Sequence, residues 1–205
     1  MKKKLPLLLK EIKSKQLPTI DYATQKSISY SQLSMFNECP KKWSLQYKEG
    51  YKQFNSSIHT IFGTALHEVI QEYLTTMYGK SGAEADKLNT YEMLEDALRE
   101  EYKKQYKSNN NQHFTSPEEL REFFEDGVEI IREFAKNRNK YFSKRGWHLV
   151  GCELPLILHP YPKLYNVMFQ GYLDIVMYHE PTNTIKIIDI KTSKQGWSKR
   201  EKSDE

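Results

Sequence analysis

The sequence predicts an α/β fold in which helices surround a small mixed β-sheet. Apolar residues recur at helical spacing through the middle of the chain, whereas two segments of the C-terminal third are rich in β-branched and aromatic residues. The 205 residues include 38% hydrophobic and 13% aromatic residues, which is enough for a core. We expect one domain over 27–205, with helices at about 27–143, a sheet and hairpin at about 147–195, and an N-terminal arm at 1–26, mobile or forming a short helix.

The composition excludes some classes of protein. No apolar run approaches the ~18 residues needed to span a membrane. The basic start, Met1–Lys10, has too short an apolar run for a signal peptide. The two cysteines lie far apart, so they form no disulfide framework and favour a cytoplasmic location. The net charge of +4 permits nucleic-acid binding without arguing strongly for it.

The first helices are predicted from their capping residues. Ser29 or Ser31 can cap a helix that reaches Phe36, and Pro40 suits the first turn of the next one. Trp43 in that second helix follows Lys41 and Lys42. These three residues could bind nucleic acid, with the ring stacking on a base and the lysines holding phosphates. The alternative is that the aromatic ring belongs to the core.

Three longer helices should form the scaffold. Apolar residues lie on one face of a helix that begins near Gly63, and His67 lies at the edge of that face, where a histidine is usually only packed. A loop at 79–87 contains Gly-Lys-Ser but lacks the other features of a phosphate-binding loop. Further helices are predicted over 88–106 and from the capping box at Ser116 to about residue 142.

The strands follow. Residues 147–158 form the first, and the next two form a hairpin around the turn Glu180–Asn183. Residues that face each other across a hairpin have a constant summed number. Asp174 and Asp189 sum to 363, which places the centre of the hairpin between Pro181 and Thr182. The two aspartates should therefore be cross-strand neighbours with Cβ atoms roughly 5 Å apart.

This hairpin carries the candidate chemistry. The two-residue period of a strand puts Lys191 on the same face as Asp189. Two close carboxylates repel each other in a partly desolvated site, and a hard divalent cation with oxygen ligands offsets that repulsion. Lys191 could then orient or deprotonate a water. The alternative is a solvated cluster of ion pairs at the edge of a sheet.

The order of these residues resembles a known family. An Asp, a hairpin and then Asp189-Ile-Lys191 between hydrophobic strands is similar to the PD-(D/E)XK nuclease superfamily. Gly171-Tyr-Leu-Asp174, followed by Asp189-Ile-Lys191-Thr-Ser, resembles its RecB/AddB-type exonuclease branch, as does the Ser-x-Ser-x-Leu-x-x-Phe-x-x-Cys-Pro pattern that begins at Ser29. The resemblance implies a restriction-endonuclease-like core.

The resemblance also implies a function and a ligand set. It implies a deoxyribonuclease dependent on Mg²⁺ or Mn²⁺, an exonuclease of DNA recombination, repair or replication, with DNA as substrate and a helicase or recombination protein as partner. It places a metal-ligating histidine at His67, in the setting Gly63-x-x-x-His67. The metal ligands would be His67, Asp174, Asp189 and the main-chain carbonyl of Ile190, and Lys191 would position the attacking water.

Other residues of the sequence can be compared with the motifs of the same family. Glu153, in the setting Glu153-Leu-Pro155, is a further candidate metal ligand or a structural acid. Cys39 matches the first of four iron–sulfur ligands in some relatives. Because such a cluster needs four thiolates and the chain has only Cys39 and Cys152, a cluster is not expected. The basic residues Lys194, Lys199 and Arg200 could contact the DNA backbone, or they form a solvated charged tail.

One departure from the family bears on activity. RecB-like nucleases follow Asp-x-Lys with a helix bearing Gln-x-x-x-Tyr, and nothing over 192–205 matches it. We therefore expect a chain that is truncated relative to the full core. The main alternative to an active nuclease is a catalytically inactive, nuclease-like module that binds DNA, or a subunit of a larger complex.

Overall fold

A computed structural model of the protein describes residues 6–16, 19–51, 56–159 and 166–192. The helices, in chain order, are α1 Leu7–Ser14, α2 Tyr30–Glu38, α3 Pro40–Trp43, α4 Ile58–Gly79, α5 Gly82–Ala85, α6 Thr90–Ser108 and α7 Pro117–Tyr141. A π-helical turn, Ser44–Lys48, follows α3. The strands are β1 Lys26–Ser29, β2 Trp147–Leu158, β3 Val167–His179 and β4 Thr184–Ile188.

The chain divides into two compact units. Unit 1 comprises 1–55, 71–88 and 136–189, and unit 2 comprises 56–70, 89–135 and 190–205. The boundaries fall at 55/56 and 88/89, inside helices α4 and α7, and between Asp189 and Ile190. Unit 1 therefore holds the four described strands. Unit 2 is built from the first part of α4, from α6, from most of α7 and from the start of the segment after β4.

The sheet of unit 1 is organised around β3. Strand β2 pairs antiparallel along one edge of β3. Along the other edge, β1 pairs in parallel with residues 167–170 and β4 pairs antiparallel with residues 175–179. The two strands β1 and β4 therefore run toward each other and end on either side of residues 171–174. The result is the predicted mixed sheet.

The hairpin has the predicted register. Ile175 pairs with Ile188 and Tyr178 pairs with Ile185, so each pair sums to 363 as the sequence indicated. Strand β2 has the predicted bounds. Strand β1 was not predicted, because its Lys-Ser-Ile-Ser sequence is too short and too polar to show a strand period.

A small apolar cluster covers one face of this sheet. Leu9 of α1 is fully buried and packs with Val150, Val176 and Tyr178. Leu173 packs against the same cluster. Strict alternation along β3 would put Leu173 and Val176 on opposite faces. The alternation is therefore interrupted between these two residues, in the stretch that contains Asp174.

The C-terminal half of α4 is also part of unit 1. It buries Leu74 and Met77, and Tyr73 is 1% exposed. The Tyr73 hydroxyl donates to Asp86 at 2.5 Å, and Arg138 donates to the same carboxylate at 2.8 Å. The two donors satisfy the charge of Asp86 within the unit. The predicted loop at 79–87 contains the short helix α5, which is capped by Ser81.

Unit 2 is held by aromatic and glycine contacts between helices. Phe62 of α4 meets Phe123 of α7 edge to face, with ring centroids 5.2 Å apart. A Cβ at Gly127 would lie 2.7 Å from a methyl carbon of Leu94, so only glycine allows α7 to approach α6 so closely. The Ser116 hydroxyl accepts from the backbone of Glu119, which confirms the predicted start of α7.

Two surface features complete the description. Ile185 and Ile187 of β4 are more than half exposed, so this strand presents an apolar surface to solvent. Within the described residues, no helix combines the length and the apolar character needed to cross a membrane.

Candidate active site

Two acidic residues lie at the same level of neighbouring strands in unit 1, and a third directly follows the next strand. The pairs Cys152–Ile175 and Leu154–Leu173 lie on either side of Glu153 and Asp174 in the β2–β3 ladder. The β3–β4 ladder ends at the pair Ile175–Ile188, and Asp189 is the residue that follows β4. The backbone therefore places Glu153 and Asp174 side by side on β2 and β3. Cross-strand neighbours at such positions interact directly.

Glu153 is held in an unusual way. Its φ is 49°, in the left-handed region that few residues other than glycine adopt. The side-chain amide of Gln71, on α4, donates to the Glu153 carboxylate at 2.8 Å. Backbone strain in a residue of this type tends to occur at functional sites, because the surrounding structure must maintain it. The hydrogen bond fixes the direction of this carboxylate.

Asp174 lies half-buried beside the thiol of Cys152. Burial raises the pKa of Cys152, and the nearby carboxylates of Glu153 and Asp174 raise it further, while a hydrogen bond with Thr75 lowers it. The thiol is therefore held in its neutral form at physiological pH. Negative charge accumulates at this end of the sheet, and the thiol does not add to it.

The imidazole of His67 contacts the segment that follows Asp189. His67 Nε2 lies 2.9 Å from the carbonyl oxygen of Ile190, so the ring N–H donates to that carbonyl. One helical turn earlier, a Cβ on Gly63 would lie 3.0 Å from the hydroxyl oxygen of Thr192. The absence of a side chain at Gly63 lets the 190–192 segment approach the helix. This contact gives a physical reason for the spacing Gly-x-x-x-His within unit 2.

The remaining predicted residues are placed as follows. Lys191 is exposed at the end of the described chain. Lys41 and Lys42 are exposed on α3, and Lys41 lies 4.0 Å from Glu49. The Trp43 ring is half-buried and packs edge-on against Phe36 at 5.5 Å. The packing accounts for Trp43 without a ligand, but the lysines stay available at the surface. Lys194, Lys199 and Arg200 lie outside the described residues.

One residue of this region, Gln71, was not predicted from the sequence, and neither was the backbone conformation of Glu153. Gln71 carried no motif, and its role is visible only through its contact with Glu153. The spacing His67-x-x-x-Gln71 was a usable signal, because side chains four apart lie on one helical face. The left-handed conformation of Glu153 left no signal, since an ordinary strand residue was expected there.

The donor atoms suit a hard divalent cation. Among the described residues, Glu153 and Asp174 of unit 1 offer carboxylate oxygens, and His67 of unit 2 offers an imidazole nitrogen. Carboxylate oxygens are the ligands that Mg²⁺ and Mn²⁺ prefer, and neutral imidazole is an accepted addition. The chemistry of the donors therefore fits such an ion and gives no support for a soft, thiolate-bound metal.

Comparison with known proteins agrees with these observations. A family model described as the PD-(D/E)XK nuclease superfamily matches residues 27–205, which is most of the chain. The search of curated proteins gave no match. The matched region includes all four motif elements discussed above, namely Gly63-x-x-x-His67, Glu153, Asp174 and Asp189-x-Lys191. On this evidence the chain belongs to the PD-(D/E)XK nuclease superfamily.

Proposed function

We propose that the protein is a metal-dependent deoxyribonuclease that hydrolyses phosphodiester bonds. The observation that supports this most directly is the β2–β3 register, in which ladder pairs on both sides flank Glu153 and Asp174. The hairpin register also runs up to Ile175 and Ile188, the residues next to Asp174 and Asp189. Carboxylates brought together at one end of a sheet repel one another, and a divalent cation with oxygen ligands offsets the repulsion. The superfamily assignment agrees with this chemistry.

The proposed ligands are Asp174, Asp189, His67 and the carbonyl of Ile190, with Glu153 as a further acid. When bound, Mg²⁺ or Mn²⁺ would polarise the scissile phosphate and stabilise the charge that develops on it. His67 Nε2 and the carbonyl oxygen of Ile190 lie 2.9 Å apart and are joined by a hydrogen bond. Both atoms can ligate a metal, and a bound cation could replace the proton that now lies between them. The carboxylates of unit 1 supply the negative charge.

Lys191 is proposed to handle the attacking water. Its ammonium group follows Asp189 by two residues, the spacing that returns a side chain to the same face of an extended segment. A positive charge there favours hydroxide over water and holds the nucleophile by hydrogen bonding. Asp189 and Lys191 would thus act together, the first holding the metal and the second positioning the water.

The residues of two sequence motifs support a narrower family assignment, which we also propose. Gly171-Tyr-Leu-Asp174 and the Ser29-x-Ser31 pattern resemble the RecB/AddB-type branch, which implies exonuclease action in DNA recombination, repair or replication with a helicase or recombination protein as partner. Ser29 does cap α2 by accepting from the backbone of Gln32, which gives this part of the motif a structural role. The two cysteines, both free, fit the proposed cytoplasmic location.

A cleavage assay tests the proposal. Labelled single- and double-stranded DNA is incubated with the protein and Mg²⁺, Mn²⁺ or EDTA, and product lengths are followed with time. We expect metal-dependent cleavage, with mononucleotides released from ends if the enzyme is an exonuclease. A protein that binds DNA but does not cut it with either metal, even when extended beyond Glu205, would instead be the inactive, nuclease-like module.

A further inference from the structure

Two exposed tyrosines are linked by one glutamine on the central strand of unit 1. The Tyr22 hydroxyl donates to Gln170 Oε1 at 3.1 Å, and Gln170 Nε2 donates to the Tyr172 hydroxyl at 2.9 Å. The rings remain 67% and 57% exposed. The hydroxyl tips are thus fixed by hydrogen bonds while the ring faces are open to solvent.

The segment that carries Tyr22 is itself ordered. The Asp21 carboxylate accepts from the backbone of Ala23 at 3.0 Å and from the hydroxyl of Thr24 at 2.8 Å. Asn166, just before β3, donates to the carbonyl of Thr24. This turn holds the first ring close to the start of β3. Both aromatic rings are therefore positioned before any ligand arrives.

The pair lies next to the proposed catalytic strand positions. Gln170 and Tyr172 share a face of β3, as their hydrogen bond shows. Asp174 follows Tyr172 by two residues, about 7 Å farther along the strand. If the reacting phosphate of a DNA strand lies near Asp174, the adjacent nucleotide of that strand would lie beside the Tyr172 ring.

Exposed, oriented aromatic rings of this kind suit one chemistry well. Nucleobases stack on aromatic side chains whatever their sequence, because every base has a π-face. Elsewhere in unit 1, the rings of Tyr73 and Tyr178 are buried. Tyr30, Tyr51 and Tyr141 of this unit are also more than half exposed, so exposure alone does not mark the site. The distinguishing observation is the pair of hydrogen bonds that Gln170 makes with Tyr22 and Tyr172.

We propose that Tyr172, supported by Gln170 and Tyr22, is a stacking site for an unpaired base of the DNA strand that reaches Asp174. The inference rests on the proposed function and adds a substrate preference to it. Stacking requires a base that is not paired with a second strand, so the site favours single-stranded DNA or the frayed end of a duplex. Gln170 acts as a positioning residue that sets the angle of the Tyr172 ring.

Binding is measured without catalysis. The anisotropy of a fluorescent thymidine oligonucleotide is titrated with protein in EDTA, for the wild type and for Tyr172→Leu, Tyr172→Phe and Gln170→Leu. We expect about tenfold weaker binding for Tyr172→Leu, since a stacked base is lost. Tyr172→Phe keeps the ring, so its affinity for the oligonucleotide should fall much less. The loss of affinity for Gln170→Leu should lie between those of the two Tyr172 variants. The slope of affinity against salt should not change, because no phosphate contact is removed.

A matched control is available on α6. Tyr91 is 55% exposed, so Tyr91→Leu removes a comparable exposed ring, and it should leave oligonucleotide binding unchanged. Circular dichroism confirms that each variant is folded. Because Tyr172→Phe and Gln170→Leu are also measured, the order of the three affinities tests the inference even if Tyr172→Leu is destabilised.

The outcomes separate this inference from the proposed function. If Tyr172→Leu binds the oligonucleotide as tightly as the wild type does, and the protein cleaves DNA with Mg²⁺, only the stacking site is overturned. An equal loss of affinity for blunt duplex DNA also overturns it, since paired bases are not available to stack. Failure of the wild type both to bind and to cleave DNA overturns the nuclease proposal and this inference together.

Discussion

Acidic residues are arranged differently on helix α6 of unit 2 and on the sheet of unit 1. On α6, acids lie three or four residues from a base and form exposed ion pairs. These pairs are Glu95–Arg99, Glu100–Lys103 and Glu101–Lys104. On the sheet, Glu153 and Asp174 lie side by side on two strands, and Asp189 directly follows a third. The helix places a base beside each of these acids, whereas the sheet brings acids together from distant parts of the chain.

The difference follows from the geometry of the two elements. A helix brings together residues three and four apart, so a sequence can place an opposite charge beside each acid locally. The hydrogen bond from Lys103 indeed lowers the pKa of Glu100. A sheet brings together residues from distant parts of the chain, and local sequence does not balance them. A cluster of like charges on a sheet therefore indicates a ligand, while a charged helix surface usually indicates only solvation.

The largest expected effect lies at the sheet. Asp189→Ala or Lys191→Ala should reduce the rate of metal-dependent DNA cleavage by about 10²-fold or more, because each removes a group proposed to act on the reacting atoms. Initial rates on labelled DNA measure the effect, and circular dichroism checks that the fold is kept. Glu100→Ala on α6 is the control and should cleave at the wild-type rate. Unchanged cleavage in either sheet variant would refute the assignment of the site.

A smaller effect is expected at Gln71, which contacts Glu153 and is not itself a proposed metal ligand. Gln71→Met keeps the length of the side chain but removes the hydrogen bond to Glu153. We expect the affinity for Mn²⁺, measured by calorimetry, to fall about tenfold, since groups that orient metal ligands contribute on this scale. In a Glu153→Ala background the same substitution should change nothing further. Independent losses from the two changes would show that Gln71 does not act through Glu153.

Asp86 in unit 1 gives an intermediate case, because Tyr73 and Arg138 both donate hydrogen bonds to its carboxylate. Burial, and then the hydrogen bond to Asp86, raise the pKa of Tyr73 from 10.0 to about 12. Because the folded state favours the neutral phenol, its contribution to stability is complete below about pH 10 and is lost as the pH rises toward 12. Tyr73→Phe should cost about 1 kcal/mol at pH 7 and should remove this part of the alkaline loss.

Chemical denaturation of both proteins from pH 7 to pH 12 tests the point. The difference in unfolding free energy between wild type and Tyr73→Phe should shrink as the pH approaches 12. A constant difference across that range would mean that the hydroxyl of Tyr73 does not titrate with folding. The experiment needs no metal, because Asp86 is satisfied by Tyr73 and Arg138.

The smallest effect is expected on α6. Glu101→Gln removes one ion pair with Lys104, whose side chain is 68% exposed, and surface pairs of this kind contribute little because water screens the charge. The unfolding midpoint and the affinity for Mn²⁺ should both be indistinguishable from wild type. A clear loss of metal affinity in Glu101→Gln would remove the contrast between the two acidic regions.

The parts of the fold that could be predicted from sequence are those with a strong local signal. The register of the hairpin followed from the sum of two aspartate numbers, because a short turn fixes its centre. The cap of α7 followed from Ser116 and Glu119. In contrast, β1 was missed, since its four residues become a strand only by pairing with β3. Tertiary pairing of this kind leaves no periodic pattern.

The candidate site shows the same limit. Asp174 and Asp189 were predicted as neighbours because hairpin geometry is local. The observed register runs up to the adjacent pair Ile175–Ile188, and the contact between the two aspartates stays a prediction. The contact between Gln71 and Glu153, and the close approach of Thr192 to Gly63, depend on how α4 lies within each unit. No pattern in a single sequence encodes those distances. Residues that position other residues are therefore the hardest part of a site to predict.

The way in which β1 joins the sheet has a consequence for synthesis of the protein. Lys26 pairs with Val167, so the edge that borders Asp174 joins residues that lie 141 positions apart (26 and 167). Both segments must have left the ribosome before these two strands can meet, and closing so long a loop slows folding. A nascent chain that ends before β3 therefore lacks the β1–β3 edge of the sheet.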